Sequence, residues 1–121
     1  LKAIRKTRVR TAEAINIVEK KDSRYPQNAL PMRFLENHDE KRSLQVFGPE
    51  AIEAYATLLF SLPGLPLIYA GQEIGETQAP SLFEKDTLSW EEADSSLFGM
   101  YRELIKMRNQ YSCLTSKNFT A

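Results

Sequence analysis

The sequence predicts an α/β fold built around one strand–helix–strand unit with two parallel strands. Residues 32–36 have a mostly apolar start suited to a short strand, residues 67–70 are a continuous apolar run of strand length, and polar residues follow each. Between them, apolar residues recur at helical spacing from about residue 49 to residue 62. Strand, helix and strand in this order form a βαβ unit, so we expect the two strands to pair in parallel as neighbours.

A helix is predicted ahead of this unit, over residues 11–21. Its apolar residues have helical spacing, and it ends in Lys20 and Lys21, whose charges complement a helix carboxyl terminus. Residues 1–10 are too irregular to assign and either extend this helix or form a loop. Residues 22–31 contain two prolines and connect the helix to the first strand.

The central helix is the clearest element of the sequence. It follows Gly48, with Pro49 at the first helical position and Glu50 in the first turn. Tyr55 and Phe60 are candidates for the core. Pro63 and Gly64 then stop the helix before the second strand, whose continuous apolar run suits a parallel strand covered on both faces.

The end of the chain combines an irregular segment with a last helix. Residues 71–92 have no regular period, which is more typical of a binding loop than of a spacer. Asp94 or Ser95 can cap the helix that follows. Trp90 is expected to pack against that helix rather than to form a platform for a sugar. The expected apolar face of the helix consists of Leu97, Met100, Tyr101, Leu104 and Ile105.

The candidate chemistry lies just after the first strand. His38, the only histidine of the chain, directly precedes Asp39 at the predicted carboxyl end of that strand. An imidazole and a carboxylate together suit a ligand rich in hydroxyl groups, such as a sugar. Taken alone, the two residues favour an ordinary surface turn in which Asp39 caps the next helix.

Composition excludes several other classes. Sixteen basic and sixteen acidic residues balance, and the basic stretch at residues 2–10 has no interleaved aromatic residues, so we expect neither nucleic acid nor a membrane as partner. The single cysteine, Cys113, excludes an internal disulfide and a zinc cluster, and no cofactor or metal is expected. Residues 54–72 are uncharged, but Pro63, Gly64 and Pro66 break them into shorter elements.

Three separated segments agree in order and spacing with one known family. They are FLENHDEKR at residues 34–42, PGLPLIYAGQEIG at residues 63–75, and LSW at residues 88–90. Together they resemble the α-amylase superfamily of glycoside hydrolases, of the family 13 type, over roughly residues 25–111. The resemblance implies a partial (β/α)8 TIM barrel containing the last two strands with flanking helices. Because such a barrel needs about 250 residues, residues 1–121 are expected to be a carboxyl-terminal fragment of the catalytic domain.

The resemblance also implies an activity and a set of site residues. It implies a retaining α-glycosidase or transglycosidase that acts on α-glucans such as starch, maltodextrin or related oligosaccharides. Asp39 would stabilise the transition state, and both Asp39 and His38 would bind substrate. Asn37 matches the substrate-binding motif too, although a supporting role is favoured. The nucleophile and general acid would lie on strands upstream of this segment, so the isolated chain is expected to be inactive.

Three further residues near the motifs are expected to be structural. Arg42 could reach a substrate, but an arginine in a loop after a strand more often pairs with a nearby carboxylate, here Glu36 or Glu40. The resemblance assigns Gln72 and Glu73 to the architecture near the cleft, not to acid catalysis.

Two alternatives from other classes stay open. One is an amylase-like protein that binds or assembles without catalysis. The other is a free-standing helical interaction module, which the absence of a parallel strand pair would favour. If the chain is a barrel fragment, its unclosed sheet should make it self-associate.

Overall fold

The computed structural model describes residues 11–26, 29–81, 83–91 and 93–115, so the alternatives for residues 1–10 lie outside the described residues. The elements in chain order are α1 (Thr11–Asp22), β1 (Met32–Phe34), α2 (Ser43–Phe47), α3 (Ile52–Ser61), β2 (Leu65–Leu67), a 3-10 turn (Gln72–Ile74), α4 (Ser95–Gln110) and a second 3-10 turn (Ser112–Leu114). The predicted α/β class is confirmed.

The two strands pair in parallel, as predicted. Met32 lies opposite Leu65, and Phe34 lies opposite Leu67. This pairing argues against the free-standing helical module. The predicted bounds were wrong, because β1 ends at Phe34 and β2 begins two residues earlier than expected. Pro66 made residues 65–66 resemble a turn, but a strand with one partner can hold a proline whose missing N–H faces away from that partner.

The crossover contains two helices, and the predicted one, over residues 49–62, corresponds to the second of them, α3. The backbone of Gly48 has φ +81° and ends α2, and α3 begins only at Ile52. Pro49 therefore lies in the turn between two helices and not at a first helical position. The five-residue helix α2 was not predicted.

The core lies between α3, α4 and the end of β1. It comprises Leu35, Ile52, Ala56, Leu59, Phe60, Leu97, Tyr101 and Leu104. Phe60 is buried as expected, and Tyr55 stacks on Phe47, with ring centroids 4.0 Å apart.

Asp94, the first of the two predicted capping residues, caps the last helix. Oδ1 of Asp94 accepts hydrogen bonds from the amides of Ser96 (2.9 Å) and Leu97 (3.0 Å). Leu97, Tyr101 and Leu104 are buried, and Met100 packs against the core, as predicted. Ile105 was wrongly placed on this face, because it is 43% exposed.

A buried arginine holds the connection from α3 to β2. Nη1 of Arg108 donates to the carbonyl oxygens of Phe60 (2.6 Å) and Leu62 (3.1 Å), and Nη2 donates to that of Gly64. Burial lowers the pKa of Arg108, and the charge of Arg33 adds to this effect. Gly64 has φ +116°, and a Cβ there would collide with the carbonyl oxygen of Pro31. These contacts explain why a glycine stands at the entry to β2.

One face of the strand pair is open. Met32 is 61% exposed and Leu65, its partner in the ladder, is 53% exposed. Phe34 shares their face and is 36% exposed. In the part of the chain described here, the sheet therefore has an uncovered apolar surface. None of the described helices is both long enough and apolar enough to cross a membrane.

Candidate functional site

The candidate site lies at the edge where both parallel strands end. Residues 35–42 follow β1, and residues 68–80 follow β2. In folds built from parallel βα units, the loops at this carboxyl edge are the ones that carry ligand-binding side chains.

His38 and Asp39 project into solvent at this edge. Their side chains are 61% and 67% exposed, and Nε2 of His38 lies 3.3 Å from Oδ2 of Asp39. Both side chains can therefore contact a ligand without any rearrangement of the core. Neither side chain lines the two cavities described below.

Asn37 shapes the turn that presents this pair. Its Oδ1 accepts a hydrogen bond from the amide of Asp39 at 3.0 Å, and its carbonyl oxygen accepts from the amide of Glu40 at 3.2 Å. An asparagine that binds a backbone amide two residues on forms an Asx turn. This geometry agrees with the supporting role favoured for Asn37.

The alternative in which Asp39 caps the next helix is wrong. The amide of Ser43, at the start of α2, donates instead to the Oε2 atom of Glu36. Glu36 thus caps α2 from seven residues upstream, and the carboxylate of Asp39 is left at the surface.

Arg42 forms a buried ion pair with Glu36, one of the two partners expected for it. Nη1 of Arg42 lies 2.8 Å from Oε1 of Glu36, and their side chains are only 4% and 1% exposed. A buried charge pair with further hydrogen bonds is costly to disrupt from one side, because the remaining charge is then unpaired.

Arg42 also connects the two loops of the site. Its Nη1 donates to the carbonyl oxygen of Ala70 (2.9 Å), and its Nε donates to that of Gln78 (2.8 Å). The guanidinium group lies 5.1 Å from the centroid of the Tyr69 ring. No feature of the sequence indicates this connection, because both hydrogen-bond acceptors are backbone atoms and carry no side-chain signature.

Gln72 and Glu73 follow β2; Gln72 lies inside the protein, and Glu73 is partly buried. Gln72 is 2% exposed, and its Oε1 accepts a hydrogen bond from the amide of Tyr69 at 3.2 Å. Oε2 of Glu73 is buried and has no hydrogen-bond partner among the described residues. The structural role expected for Gln72 agrees with its burial.

A cleft of about 210 Å³ adjoins Arg42 and is also lined by Tyr69, Gln78 and Asp86. A larger cavity of about 530 Å³ lies near Pro31 and Gly64, at the amino ends of the strands. We favour the smaller cleft as the one relevant to function, because ligands of parallel α/β folds bind at the carboxyl ends of the strands.

Trp90 does not pack on the last helix as predicted, because it is 56% exposed. It lies in a turn in which its carbonyl oxygen accepts from the amide of Ala93, so the chain changes direction before Asp94 starts the helix. Within the described ranges, no three His, Cys, Asp or Glu side chains are grouped as a metal site would require.

A parallel βαβ unit with exposed polar side chains at its carboxyl edge places the chain in the α/β class and is consistent with a segment of an α/β barrel. The family model described as "Alpha amylase, catalytic domain" matches residues 2–92. The chain therefore belongs to the alpha-amylase family.

Individual relatives agree with this assignment. Alpha-amylase MalA of Haloarcula japonica is 40% identical over 92 residues, which make up 76% of this chain and 13% of the relative. Oligo-1,6-glucosidase of Heyndrickxia coagulans is 37% identical over 89 residues, or 69% of this chain and 14% of the relative. The crystal structure of an alpha-amylase from Lactobacillus plantarum superposes with a TM-score of 0.80 at 30% identity, covering 98% of this chain and 28% of that one.

The chain thus spans less than a third of the length of each of these relatives. Its small parallel sheet and surrounding helices correspond to part of a (β/α)8 barrel.

Proposed function

We propose that residues 1–121 form the carboxyl-terminal part of the (β/α)8 catalytic domain of a retaining α-glycosidase or transglycosidase that acts on α-glucans. The observation that carries the proposal is the exposed His38–Asp39 pair at the carboxyl edge of two parallel strands. The names of the relatives, an alpha-amylase and an oligo-1,6-glucosidase, support α-linked glucans as the substrate class.

In this proposal Asp39 stabilises the transition state. Retaining glycosidases pass through an oxocarbenium-like state, and hydrogen bonds to ring hydroxyls strengthen as the sugar distorts toward it. The exposed carboxylate of Asp39 can accept such hydrogen bonds, and the imidazole of His38 can add one more contact to the same sugar. Asn37 forms the turn that keeps both side chains in place. Its part in the substrate-binding motif is this support.

The bond-making groups are proposed to lie elsewhere in the domain. A retaining mechanism needs a carboxylate nucleophile and a second carboxylic acid close to it. The family resemblance assigns both groups to strands upstream of this segment, so the isolated chain should not catalyse. Attack on the glycosyl intermediate by water gives hydrolysis, and attack by a sugar hydroxyl gives transfer.

The open apolar face of the sheet supports placement within a larger barrel. Apolar surface is exposed on Met32, Phe34 and Leu65. In a complete barrel, a neighbouring strand and the barrel interior would cover this surface. The proposed occupant is the upstream part of the same domain.

Turnover of maltoheptaose tests the proposal. The full-length protein should release shorter or longer maltooligosaccharides, and residues 1–121 alone should release none. If the full-length protein binds maltoheptaose without turning it over, the non-catalytic alternative is correct.

A further inference from the structure

We propose that Arg42 is a positioning residue for Asp39, and that it fixes where the His38–Asp39 loop stands relative to the loop after β2. This inference rests on the proposed function, because it assigns to Arg42 an effect that is exerted through Asp39.

The first argument is the closure of the loop. Residues 37–41 lie between Glu36 and Arg42, whose side chains form a 2.8 Å ion pair. The two ends of the loop are therefore joined directly to each other. The second oxygen of Glu36 accepts the hydrogen bond from the amide of Ser43, so the start of α2 is attached to the same carboxylate.

The second argument concerns the hydrogen bonds within the loop, which determine its shape but not its position relative to the sheet. Oδ1 of Asn37 binds the amide of Asp39, and the carbonyl oxygen of Asn37 binds the amide of Glu40. Both bonds join loop residues to one another. The position of the turn at the sheet edge depends on contacts with residues outside the loop. Arg42, which directly follows the loop, makes such contacts.

The third argument is the reach of Arg42 to the second loop. It donates to the carbonyl oxygens of Ala70 and Gln78, at 2.9 Å and 2.8 Å, while its guanidinium group lies over Tyr69. One side chain thus sets the spacing between the His38–Asp39 loop and the loop after β2, and Arg42 itself lines the 210 Å³ cleft beside the second loop. Because a displacement of about 1 Å can cost about a hundredfold in rate, this spacing bears directly on catalysis.

The test compares two buried arginines in the full-length protein. Arg42→Met removes the contacts at the site, and Arg108→Met removes a similar set of donors to backbone carbonyls at the opposite end of the strands. We measure kcat and KM on maltoheptaose at a temperature where circular dichroism shows both variants to be folded. Arg42→Met should lower kcat at least about tenfold. Arg108→Met should leave kcat close to wild type, although it also lowers the thermal midpoint.

A double variant separates positioning from general destabilisation. If Arg42 acts through Asp39, the effect of Arg42→Met on kcat should largely disappear when Asp39 is already Asn, because coupled residues are not additive. A full, additive loss in that background would overturn the proposal, as would an unchanged kcat in folded Arg42→Met.

Arg42→Lys covers the case in which Arg42→Met does not fold. Lysine keeps the charge facing Glu36 but lacks the planar fork that reaches two further carbonyls. We expect a folded protein with a lowered kcat, and an unchanged kcat would again overturn the proposal. If Asp39→Asn alone is fully active, the proposed function of Asp39 has failed. If Asp39→Asn is inactive while folded Arg42 variants are fully active, only the present inference has failed.

Discussion

The side-chain amide of Gln72 donates a 2.7 Å hydrogen bond to the hydroxyl group of Tyr101. Both residues are almost fully buried, at 2% and 1% exposure, so the bond joins the turn after β2 to the middle of α4 inside the core. Burial raises the pKa of Tyr101 to about 12, the hydrogen bond from Gln72 opposes this rise, and the charges of Glu36 and Glu73 add to it.

This shift predicts a loss of stability at alkaline pH. An unfolded tyrosine titrates near pH 10, so the folded protein keeps a proton that the unfolded chain loses. The contribution of neutral Tyr101 should be fully present below pH 10 and lost as pH rises from 10 to 12. The two-unit difference corresponds to about 3 kcal/mol. Urea unfolding of the full-length protein between pH 9 and pH 12 measures it.

Tyr101→Phe provides the control for that measurement. The variant should be less stable at neutral pH, because the amide of Gln72 loses its acceptor, at a typical cost of about 1–3 kcal/mol. Its stability should nevertheless fall less steeply between pH 10 and pH 12. Identical slopes for the two proteins would contradict the assignment of the alkaline loss to Tyr101.

Asp39→Asn should strongly reduce turnover in the full-length protein. The change keeps the size of the side chain and removes its charge, and loss of one preorganised group of this kind typically lowers kcat about 100- to 1,000-fold. His38→Asn should cost less, because a hydrogen-bonding side chain remains. Kinetics on maltoheptaose measure both effects.

Glu53→Gln is the matched control for Asp39→Asn, since Glu53 is an exposed carboxylate on α3. It should leave kcat unchanged. Near-normal turnover of folded Asp39→Asn would reduce Asp39 to an ordinary residue of a surface turn.

Two glycine substitutions should change stability in opposite directions. Gly64→Ala forces a side chain into a backbone with φ +116° and against the carbonyl oxygen of Pro31. We expect a cost of about 1–3 kcal/mol. Gly99→Ala lies within α4, where an added Cβ meets no atom within 4 Å, and should stabilise by about 0.5–1 kcal/mol. Thermal unfolding of both variants checks the signs, and a stabilising Gly64→Ala would refute the assigned close approach.

The isolated 121-residue chain should associate in solution through its open sheet face. Sedimentation velocity across micromolar concentrations should show species larger than a monomer, because Met32 and Phe34 expose apolar surface beside an unpaired strand edge. Replacing both by threonine should weaken association. Phe83→Thr, which alters a residue that is 94% exposed outside the sheet, should not. A stable monomer without dye-binding apolar surface would count against a barrel fragment.

The parts of the fold that could be predicted are those set by local chemistry. The carboxylate of Asp94 precedes a helix with clear apolar spacing, and both its capping role and most of the buried face of α4 are confirmed. Arg42 could be assigned a carboxylate partner because an arginine in a loop after a strand usually pairs with a nearby carboxylate, and Glu36 was one of the two candidates.

The parts that could not be predicted depend on tertiary contacts. Helix α2 has only five residues and is capped by Glu36 rather than by an adjacent side chain, so no local signal marks its start. The position of β2 depends on pairing with β1, which overrides the usual meaning of Pro66 as a breaker. Trp90 is exposed and lies in a turn. The residues next to it in the sequence do not specify the direction of that turn.

The ion pair between Glu36 and Arg42 also determines where this protein can accept additional residues. It closes residues 37–41 into a ring of fixed size, so an insertion there would have to open a buried charge pair. The segment near Ser81 differs, because its side-chain bonds, such as that from the amide of Glu84 to Oγ of Ser81, span only a few positions and are exposed. Epitope tags or reporter peptides should therefore be tolerated near residues 83 and 84, ahead of Asp86 at the cleft, and should disrupt the protein between residues 37 and 41.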